Sequence, residues 1–155
     1  MWEEELVTLL NEKKYVIATA ESCTGGMVAS KIVNVSGASE VFQTGFVTYA
    51  NETKMKYLGV NKNTLEQFGA VSEETVREMA EGCARETGAD VTVVTSGIAG
   101  PGGGTEEKPV GLVWFGCFYD KKVYVTSKIF PGNRLEIREA AANHALKFTL
   151  DIIKN

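Results

Sequence analysis

The fold is decided by residues 15–35, which read YVIATAESCTGGMVASKIVNV. The first six, YVIATA, are apolar and partly β-branched, and they lie between a lysine pair and a polar loop, which is typical of a buried strand. The last nine, MVASKIVNV, are typical of a helix. The segment ESCTGG (21–26) between them is therefore predicted at the carboxyl end of a strand, where open α/β sheets place their ligands.

The alternation of strands and helices continues on both sides of this stretch. Besides the helix over 27–35, apolar periodicity and capping residues predict helices at 2–13, at 51–59, from Ser72 to Gly88, and from Asn133 to about Ile153. Besides the strand over 15–20, strands are predicted at 41–50, 91–96, 112–119 and 123–130. This order predicts a single layered α/β domain with a mixed sheet over residues 1–155.

The composition limits the class of protein. The chain has a net charge of −4 and no run of Lys or Arg, so nothing indicates the basic surface of a nucleic-acid binder. Its three cysteines, at 23, 83 and 117, are far apart and form no CxxC, which argues against a disulfide framework and a zinc site. The acidic N-terminus is unlike a signal peptide, and no apolar run approaches the ~20 residues of a membrane span. We therefore expect a cytoplasmic protein without a nucleic-acid or membrane partner.

The segment ESCTGG contains two possible nucleophiles, Ser22 and Cys23. Gly25 and Gly26 would let the backbone approach a ligand closely, and the N–H groups at the start of the following helix suit an anion or an oxyanion. The alternative is structural, with a hydroxyl that caps the helix and glycines that form a turn. The segment has neither the GK[ST] of a Walker motif nor GxGxxG, so it matches neither of these phosphate-binding loops.

A serine nucleophile needs a base, and the sequence offers two kinds. The only histidine, His144, lies among alanines in the last predicted helix, a position more typical of packing than of catalysis, so a Ser-His-Asp triad is not favoured. The stretch TYANETK (48–54) places Tyr49 and Lys54 directly after a strand. A lysine can take the proton of a serine when burial lowers its pKa. On spacing alone, a strand-end tyrosine and a solvated helix lysine explain the two residues as well.

The stretch SGIAGPGGG (96–104) has five glycines in nine residues, which indicates a loop that approaches a ligand closely or is mobile. Ser96 could orient a ligand or the base, and Lys108 at the far end of the loop could contact a phosphate. Arg134 and Arg138, one helical turn apart, are typical solvated charges, with a phosphate contact as a second interpretation. The structural alternative for the whole stretch is a flexible surface loop.

Four blocks occur in order along the chain: TAESCTGGMVASKIVNVSGAS, GFVTYANETKMKYLGV, GAVSEETVREMA and TSGIAGPGGGTEEKPVG. Together they resemble the C-terminal domain of the competence/damage-inducible protein CinA, including its stand-alone form, a nicotinamide-nucleotide amidohydrolase. The resemblance covers essentially the whole chain. It implies a three-layer α/β/α fold, a homodimer, no cofactor and no metal. Longer relatives carry an N-terminal nucleotide-processing domain, and we expect this chain to provide only the amidase part.

The resemblance also implies an activity, hydrolysis of the carboxamide of nicotinamide mononucleotide to nicotinate mononucleotide and ammonia. The family's catalytic serine, tyrosine and lysine correspond to Ser22, Tyr49 and Lys54. We expect Ser22 to attack, Lys54 to accept its proton directly or through Tyr49, and backbone N–H groups of residues 23–26 to stabilise the oxyanion. Contacts to the substrate are expected from Glu21, Cys23, Thr24, Gly25, Gly26, Asn51, Ser96, Gly97, Gly100, Gly102, Lys108 and Arg134.

Two other functions fit the same sequence. One is a non-catalytic module that senses a pyridine nucleotide with the same loops, and the other is a serine amidase that acts on a different small amide. Binding of the nucleotide without release of ammonia would favour the sensor. Substrate range distinguishes the other amidase, because it depends on the shape of the pocket.

Overall fold

The computed structural model describes residues 1–155, which form one five-stranded sheet flanked by helices. The helices are α1 (Trp2–Lys13), α2 (Met27–Val33), α3 (Asn51–Leu58), α4 (Lys62–Phe68), α5 (Glu73–Thr87) and α6 (Arg134–Lys154). The strands are β1 (Ile17–Glu21), β2 (Phe42–Val47), β3 (Val91–Gly97), β4 (Leu112–Tyr119) and β5 (Lys122–Ile129). A 3₁₀ turn, Ala38–Glu40, precedes β2. Every predicted strand and helix is present in the predicted order, and α4 is an additional helix.

The strands lie in the order β2-β1-β3-β4-β5. β1 pairs in parallel with β2 on one side and with β3 on the other, whereas β4 and β5 form an antiparallel hairpin that extends the sheet from β3. The sheet is therefore mixed, as predicted. Because β1, β2 and β3 run in the same direction, the segments that follow them meet at one edge of the sheet. Those segments are ESCTGG, TYANETK and the glycine-rich loop.

The side chains of the strands alternate between two apolar cores, one on each face of the sheet. Ile17 and Val93 face a core formed with α1, α2 and α6, whereas Ala20 and Val94 face a core formed with α3, α4 and α5. Helices thus cover both faces, and the three-layer α/β/α arrangement is confirmed. None of these helices is both long enough and apolar enough to cross a membrane.

Most predicted bounds shift by one or two residues; for example, β1 begins at Ile17 rather than at residue 15, and α2 ends at Val33 rather than at residue 35. Two differences are larger. β2 ends at Val47 rather than at residue 50, because the chain turns there and the carbonyls of Thr48 and Tyr49 accept hydrogen bonds from a side chain of α3. The sequence does not predict α4, since its seven residues bury only Leu65 and lack the apolar face of a longer helix. The residues lost from β2 lie in the turn before α3, and α4 lies in a segment that connects two predicted helices.

Helix α6 begins with a capping box, which fixes the position of its first turn. The side chain of Asn133 accepts a hydrogen bond from the backbone N–H of Glu136 (2.9 Å), and the side chain of Glu136 accepts one from the backbone N–H of Asn133 (2.9 Å). The predicted N-cap is therefore confirmed. Ile137 packs in the apolar core and anchors this part of the helix, so the backbone positions of the neighbouring Arg134 and Arg138 are fixed.

Candidate active site

Three hydroxyl side chains lie in a row at the edge of the sheet where the parallel strands end. Ser22 follows β1, Thr48 follows β2, and Ser96 lies near the end of β3. The strand pairing continues by one residue beyond β1, since the N–H of Ser22 donates to the carbonyl of Thr95 (3.0 Å) and that of Thr48 to the carbonyl of Glu21 (3.0 Å). Because paired residues point to the same face of a sheet, all three hydroxyls share the face covered by α3, α4 and α5.

Lys54, on α3, reaches this row from the same face. Its side chain is only 1% exposed, and Nζ donates hydrogen bonds to Oγ of Ser22 (2.9 Å), to the carbonyl of Thr48 (2.6 Å) and to the carbonyl of Tyr49 (3.3 Å). Lys54 takes part in none of the ion pairs of the chain. The interpretation of Lys54 as a solvated helix lysine is therefore wrong, and the structure brings Lys54 and Ser22 together.

Burial has opposite effects on the two ionisable groups beside Ser22. It lowers the pKa of Lys54 from its ordinary value of 10.5 to about 8, because an ammonium group loses its hydration inside the protein. It raises the pKa of the Cys23 thiol, which is 6% exposed, to about 11. A thiol attacks only as the thiolate, so Cys23 is held in its unreactive form. Of the two candidate nucleophiles, Ser22 is the one with a base in contact.

The side chain of Tyr49 does not lie between Ser22 and Lys54. It is 62% exposed, and its hydroxyl accepts a hydrogen bond from Nη2 of Arg134 (3.1 Å). Only its backbone carbonyl contacts Lys54. Proton transfer through Tyr49 therefore has no geometric support, and the direct contact between Ser22 and Lys54 replaces it. Arg134 also donates to the carbonyl of Gly100 (2.7 Å), so it links Tyr49 to the glycine-rich loop.

The carboxylate of Glu21, predicted to contact the substrate, instead closes the N-terminus of α2. Its Oε1 accepts hydrogen bonds from Oγ1 of Thr24 (2.6 Å) and from the N–H groups of Gly26 (3.2 Å) and Val28 (2.9 Å). Its Oε2 accepts from the N–H of Ala29 (3.0 Å). A carboxylate here satisfies free N–H groups and complements the positive end of the helix dipole. Glu21 and Thr24 are both fully buried, so their side chains hold the loop rather than face a ligand.

Replacing Glu21 by glutamine is expected to lower the free energy of unfolding by about 1–3 kcal/mol. The amide nitrogen of glutamine would face N–H donors, which leaves at least one buried donor of α2 without an acceptor. Urea unfolding followed by circular dichroism measures the loss. The matched control is Glu81→Gln on the exposed side of α5, expected to change stability by less than about 0.5 kcal/mol. Equal stabilities of wild type and Glu21→Gln would contradict the structural role.

The free backbone donors of the loop are the N–H groups of Cys23 and Thr24, which make no hydrogen bond within the chain. The N–H of Gly25 donates to the carbonyl of Ser22 (3.1 Å), and that of Gly26 donates to the buried carboxylate described above. The predicted oxyanion donors at residues 25 and 26 are thus already occupied. The two free groups directly follow Ser22 in the chain, where a backbone donor can reach an oxyanion formed on that serine.

The glycines of the predicted ligand loop have different surroundings. Gly97 lies within β3, where a Cβ would come within 2.7 Å of the carbonyl oxygen of Leu112, so packing between strands requires the glycine. Gly100 is buried and accepts the hydrogen bond from Arg134, whereas Gly102 is exposed with open space around it. Contacts of these glycines with a substrate stay predictions.

The other predicted contacts also differ in position. Nζ of Lys108 donates to the carbonyl of Phe68 at the end of α4, so the ammonium group binds the C-terminus of this helix. Asn51 is exposed at the first residue of α3. Oγ of Ser96 is buried without a hydrogen-bond partner, beside Ser22 in the row of hydroxyls. Oγ1 of Thr48, in the same row, is also buried and unpaired. Buried polar groups are normally paired, so both hydroxyls are free to bind a ligand, and the orienting role of Ser96 stays a prediction.

The single histidine packs among aromatic rings. The ring of His144 lies 4.7 Å from that of Phe115 and 5.8 Å from that of Phe130, measured between centroids. Burial among these rings lowers the pKa of His144. No group of three or more His, Cys, Asp or Glu side chains is arranged to hold a metal ion.

Sequence reasoning misses Arg138 as a residue of the site. Its side chain is half-buried, and it donates from Nε to the carbonyl of Cys23 (2.9 Å) and from Nη2 to the carbonyl of Thr24 (3.2 Å). The available signal is the spacing of four from Arg134, which puts both arginines on one side of a capped helix. That spacing does not tell which loop the arginines face, so the solvated interpretation of Arg138 is wrong for a reason that only the packing of α6 reveals.

Comparison with known proteins places this arrangement in a family. The family model described as the CinA C-terminal domain matches residues 1–153. The chain belongs to the CinA C-terminal domain family. The resemblance inferred from the four sequence blocks is thereby confirmed.

Relatives of this CinA domain are longer proteins. A CinA-like protein of Kosmotoga olearia is 55% identical over 146 residues, which cover 94% of this chain and 35% of that protein. A putative competence-damage inducible protein of Clostridium perfringens is 57% identical over 136 residues, which cover 88% of this chain and 33% of that protein. The chain thus spans about a third of the length of the curated relatives it matches.

Solved structures of CinA-family proteins share the fold over nearly the whole chain. The competence/damage inducible protein CihA from Agrobacterium tumefaciens superimposes with a TM-score of 0.94 at 39% identity, covering 100% of this chain and 97% of that one. A competence damage-inducible protein A from Klebsiella pneumoniae superimposes with a TM-score of 0.96 at 32% identity, covering 99% and 96%.

Proposed function

We propose that this CinA domain is an amidohydrolase that converts nicotinamide mononucleotide to nicotinate mononucleotide and ammonia. The observation that carries the proposal is the buried contact of 2.9 Å between Nζ of Lys54 and Oγ of Ser22. A buried lysine with a lowered pKa beside a serine hydroxyl is an arrangement that activates a serine nucleophile. The choice of substrate rests on the family resemblance.

In the first half of the proposed reaction, neutral Lys54 accepts the proton of Ser22 while Oγ attacks the carboxamide carbon. The carbonyl oxygen becomes an oxyanion, which accepts hydrogen bonds from the N–H groups of Cys23 and Thr24. Loss of one such donor typically costs ~10²–10³ in rate, so these groups matter as much as the base. Lys54, now an ammonium, passes its proton to the leaving nitrogen, the C–N bond breaks, and ammonia departs.

In the second half, water hydrolyses the ester between Ser22 and the nicotinoyl group. Lys54, neutral again, accepts a proton from the attacking water, and the same two N–H groups stabilise the second oxyanion. When this intermediate collapses, Lys54 returns the proton to Oγ of Ser22 and the ester bond breaks. The acid product ionises to nicotinate mononucleotide. Lys54 therefore acts first as base and then as acid in each half.

We assign the nucleotide to the surface formed by Tyr49, Arg134 and the glycine-rich loop. The pyridinium ring of the substrate is positively charged, and the exposed ring of Tyr49 offers an aromatic face next to the backbone that contacts Lys54. The exposed guanidinium of Arg134 already joins Tyr49 to Gly100, so it is the cation best placed to bind the phosphate. Lys108 could do so only after leaving the end of α4.

Ammonia release from nicotinamide mononucleotide by the purified chain tests the proposal. A coupled glutamate dehydrogenase assay measures the ammonia, and chromatography identifies nicotinate mononucleotide. Nicotinamide, which lacks the ribose phosphate, is the comparison substrate and should be hydrolysed much more slowly. Hydrolysis of other small amides but not of the mononucleotide would indicate a different serine amidase. Binding of the mononucleotide without ammonia release would indicate a sensor module and contradict the proposal.

The rate of hydrolysis is expected to rise with pH through about 8. Only neutral Lys54 can accept the proton of Ser22, and burial lowers the pKa of Lys54 to about 8. Below that value the ammonium form predominates, so kcat/KM should fall about tenfold per pH unit, and above about pH 9 it should level off. The profile is measured between about pH 6 and about pH 10 at constant ionic strength. A flat profile across the neutral range would exclude Lys54 as the base.

We further propose that the domain works in the cytoplasm as a homodimer. Both statements rest on the family resemblance. The exposed edge strand β2 is compatible with association, because it ends in apolar side chains such as Val47, which is 54% exposed.

A further inference from the structure

We propose that Arg138 of α6 is a positioning residue that aims the N–H of Thr24, one of the two free donors after Ser22, at the reacting carbonyl. This inference rests on the proposed amidase reaction and identifies what holds its oxyanion site in place. The guanidinium contacts the backbone carbonyls of Cys23 and Thr24, so it acts on the reaction through the peptide groups of the loop.

Arg138 holds two successive peptide groups. Nε donates to the carbonyl of Cys23 (2.9 Å), and Nη2 donates to the carbonyl of Thr24 (3.2 Å). A trans peptide group is planar, with its N–H directed opposite to its C=O. The only cis bond of the chain is elsewhere, between Gly100 and Pro101. Because the carbonyl of Cys23 and the N–H of Thr24 belong to one peptide group, the bond to Arg138 directs that N–H away from α6.

The direction away from α6 is the direction of the nucleophile. Helix α6 packs on the face of the sheet that carries α1 and α2, whereas Ser22 contacts Lys54 on the opposite face. The other free donor, the N–H of Cys23, shares a peptide group with the carbonyl of Ser22, which accepts the N–H of Gly25 (3.1 Å). Both free donors are thus held by a hydrogen bond to the carbonyl of their own peptide group.

The charge of Arg138 strengthens the same effect. A cation at a peptide carbonyl polarises the group, so its N–H becomes a better hydrogen-bond donor. The loop is also shaped to admit the guanidinium, because a Cβ at Gly25 would lie only 3.0 Å from Nη2 of Arg138. Gly25 also has φ of +57°, a conformation that favours glycine, so two features of this position disfavour a side chain that would crowd the guanidinium.

Replacing Arg138 by methionine tests the proposal, since methionine keeps an unbranched apolar stem and removes both hydrogen bonds and the charge. For nicotinamide mononucleotide we expect kcat to fall roughly 10²-fold, with KM changed less than about threefold, because oxyanion donors act on the transition state. Arg138→Lys keeps the charge and should lose less. The matched control is Arg77→Met, which removes a guanidinium bond to the carbonyl of Val123, away from the site, and should leave kcat within about twofold.

Labelling of Ser22 by a fluorophosphonate probe separates this inference from the choice of substrate. Phosphonylation also places negative charge in the oxyanion site, yet it needs no nucleotide. Slower labelling of Arg138→Met than of wild type supports the inference, even if the mononucleotide is not hydrolysed and the proposed substrate is therefore wrong. Equal labelling rates, or a change in KM alone, overturn the inference, and a wild type that is not labelled overturns it together with the proposed function.

Thermal unfolding checks that each variant is folded. If the methionine variant does not fold, a folded Arg138→Lys with wild-type kcat and labelling rate overturns the inference.

Discussion

Replacing Ser22 by alanine is expected to reduce kcat for ammonia release from nicotinamide mononucleotide by a factor on the order of 10⁴–10⁶. Oγ of Ser22 is the proposed nucleophile and contacts Nζ of Lys54, so its removal should eliminate the acyl-enzyme route. The serine side chain is small and bonded to Lys54 alone, so the fold should survive the change. The measurement is kcat at saturating substrate, together with the temperature of thermal unfolding.

Cys23→Ala is the informative companion of this variant. It removes the neighbouring thiol but keeps the backbone N–H that we assign to the oxyanion site, so turnover should stay within about tenfold of wild type. Burial raises the pKa of the Cys23 thiol to about 11, which disfavours the thiolate at neutral pH. An inactive Cys23→Ala beside an active Ser22→Ala would move the nucleophile to the thiol. Full activity of Ser22→Ala alone would already contradict the proposed mechanism.

The sequence predicts the architecture well because the apolar pattern of the strands and the helix caps agree with each other. Residues 15–20 read as a buried strand, and Asn133 and Ser72 read as caps, and the structure confirms these features. The location of the candidate site follows from the same pattern, since parallel strands bring the segments after β1, β2 and β3 to one edge. The residue types at that edge show a glycine-rich loop and two candidate nucleophiles, Ser22 and Cys23, but they do not choose between the two.

What the sequence does not predict is how side chains of the site are paired. Glu21 is adjacent to Ser22, but its position in the pleat directs it to the opposite face, where it closes α2. The sequence around Lys54 is typical of an exposed helix residue. Only the turn after β2 brings the carbonyls of Thr48 and Tyr49 into hydrogen-bonding distance of its Nζ. Such pairings depend on which face of one element meets another, and residue spacing within a single element contains no such information.

Replacing Lys54 by methionine is expected to lower kcat by about 10²–10⁴-fold, the range contributed by a general acid–base group. Methionine fills a similar buried volume but accepts no proton. The matched control is Lys56→Met on the same helix, whose side chain is exposed and should be dispensable for turnover. Because Ser22 and Lys54 act as one unit, the double variant Ser22→Ala with Lys54→Met should be about as inactive as Ser22→Ala alone.

The same variant tests the lowered pKa through stability. Lys54 has a pKa of about 8 in the folded protein against an ordinary 10.5, so between these two pH values the unfolded chain binds a proton that the folded protein does not. The free energy of unfolding of the wild type therefore rises with pH across this interval, and Lys54→Met lacks this contribution. Urea unfolding of both proteins near neutral pH and at about pH 10 should thus show their difference shifting in favour of the wild type. A difference that does not depend on pH would mean that the ammonium group of Lys54 keeps its ordinary pKa, and Lys54 would then be too strongly protonated to serve as the base for Ser22.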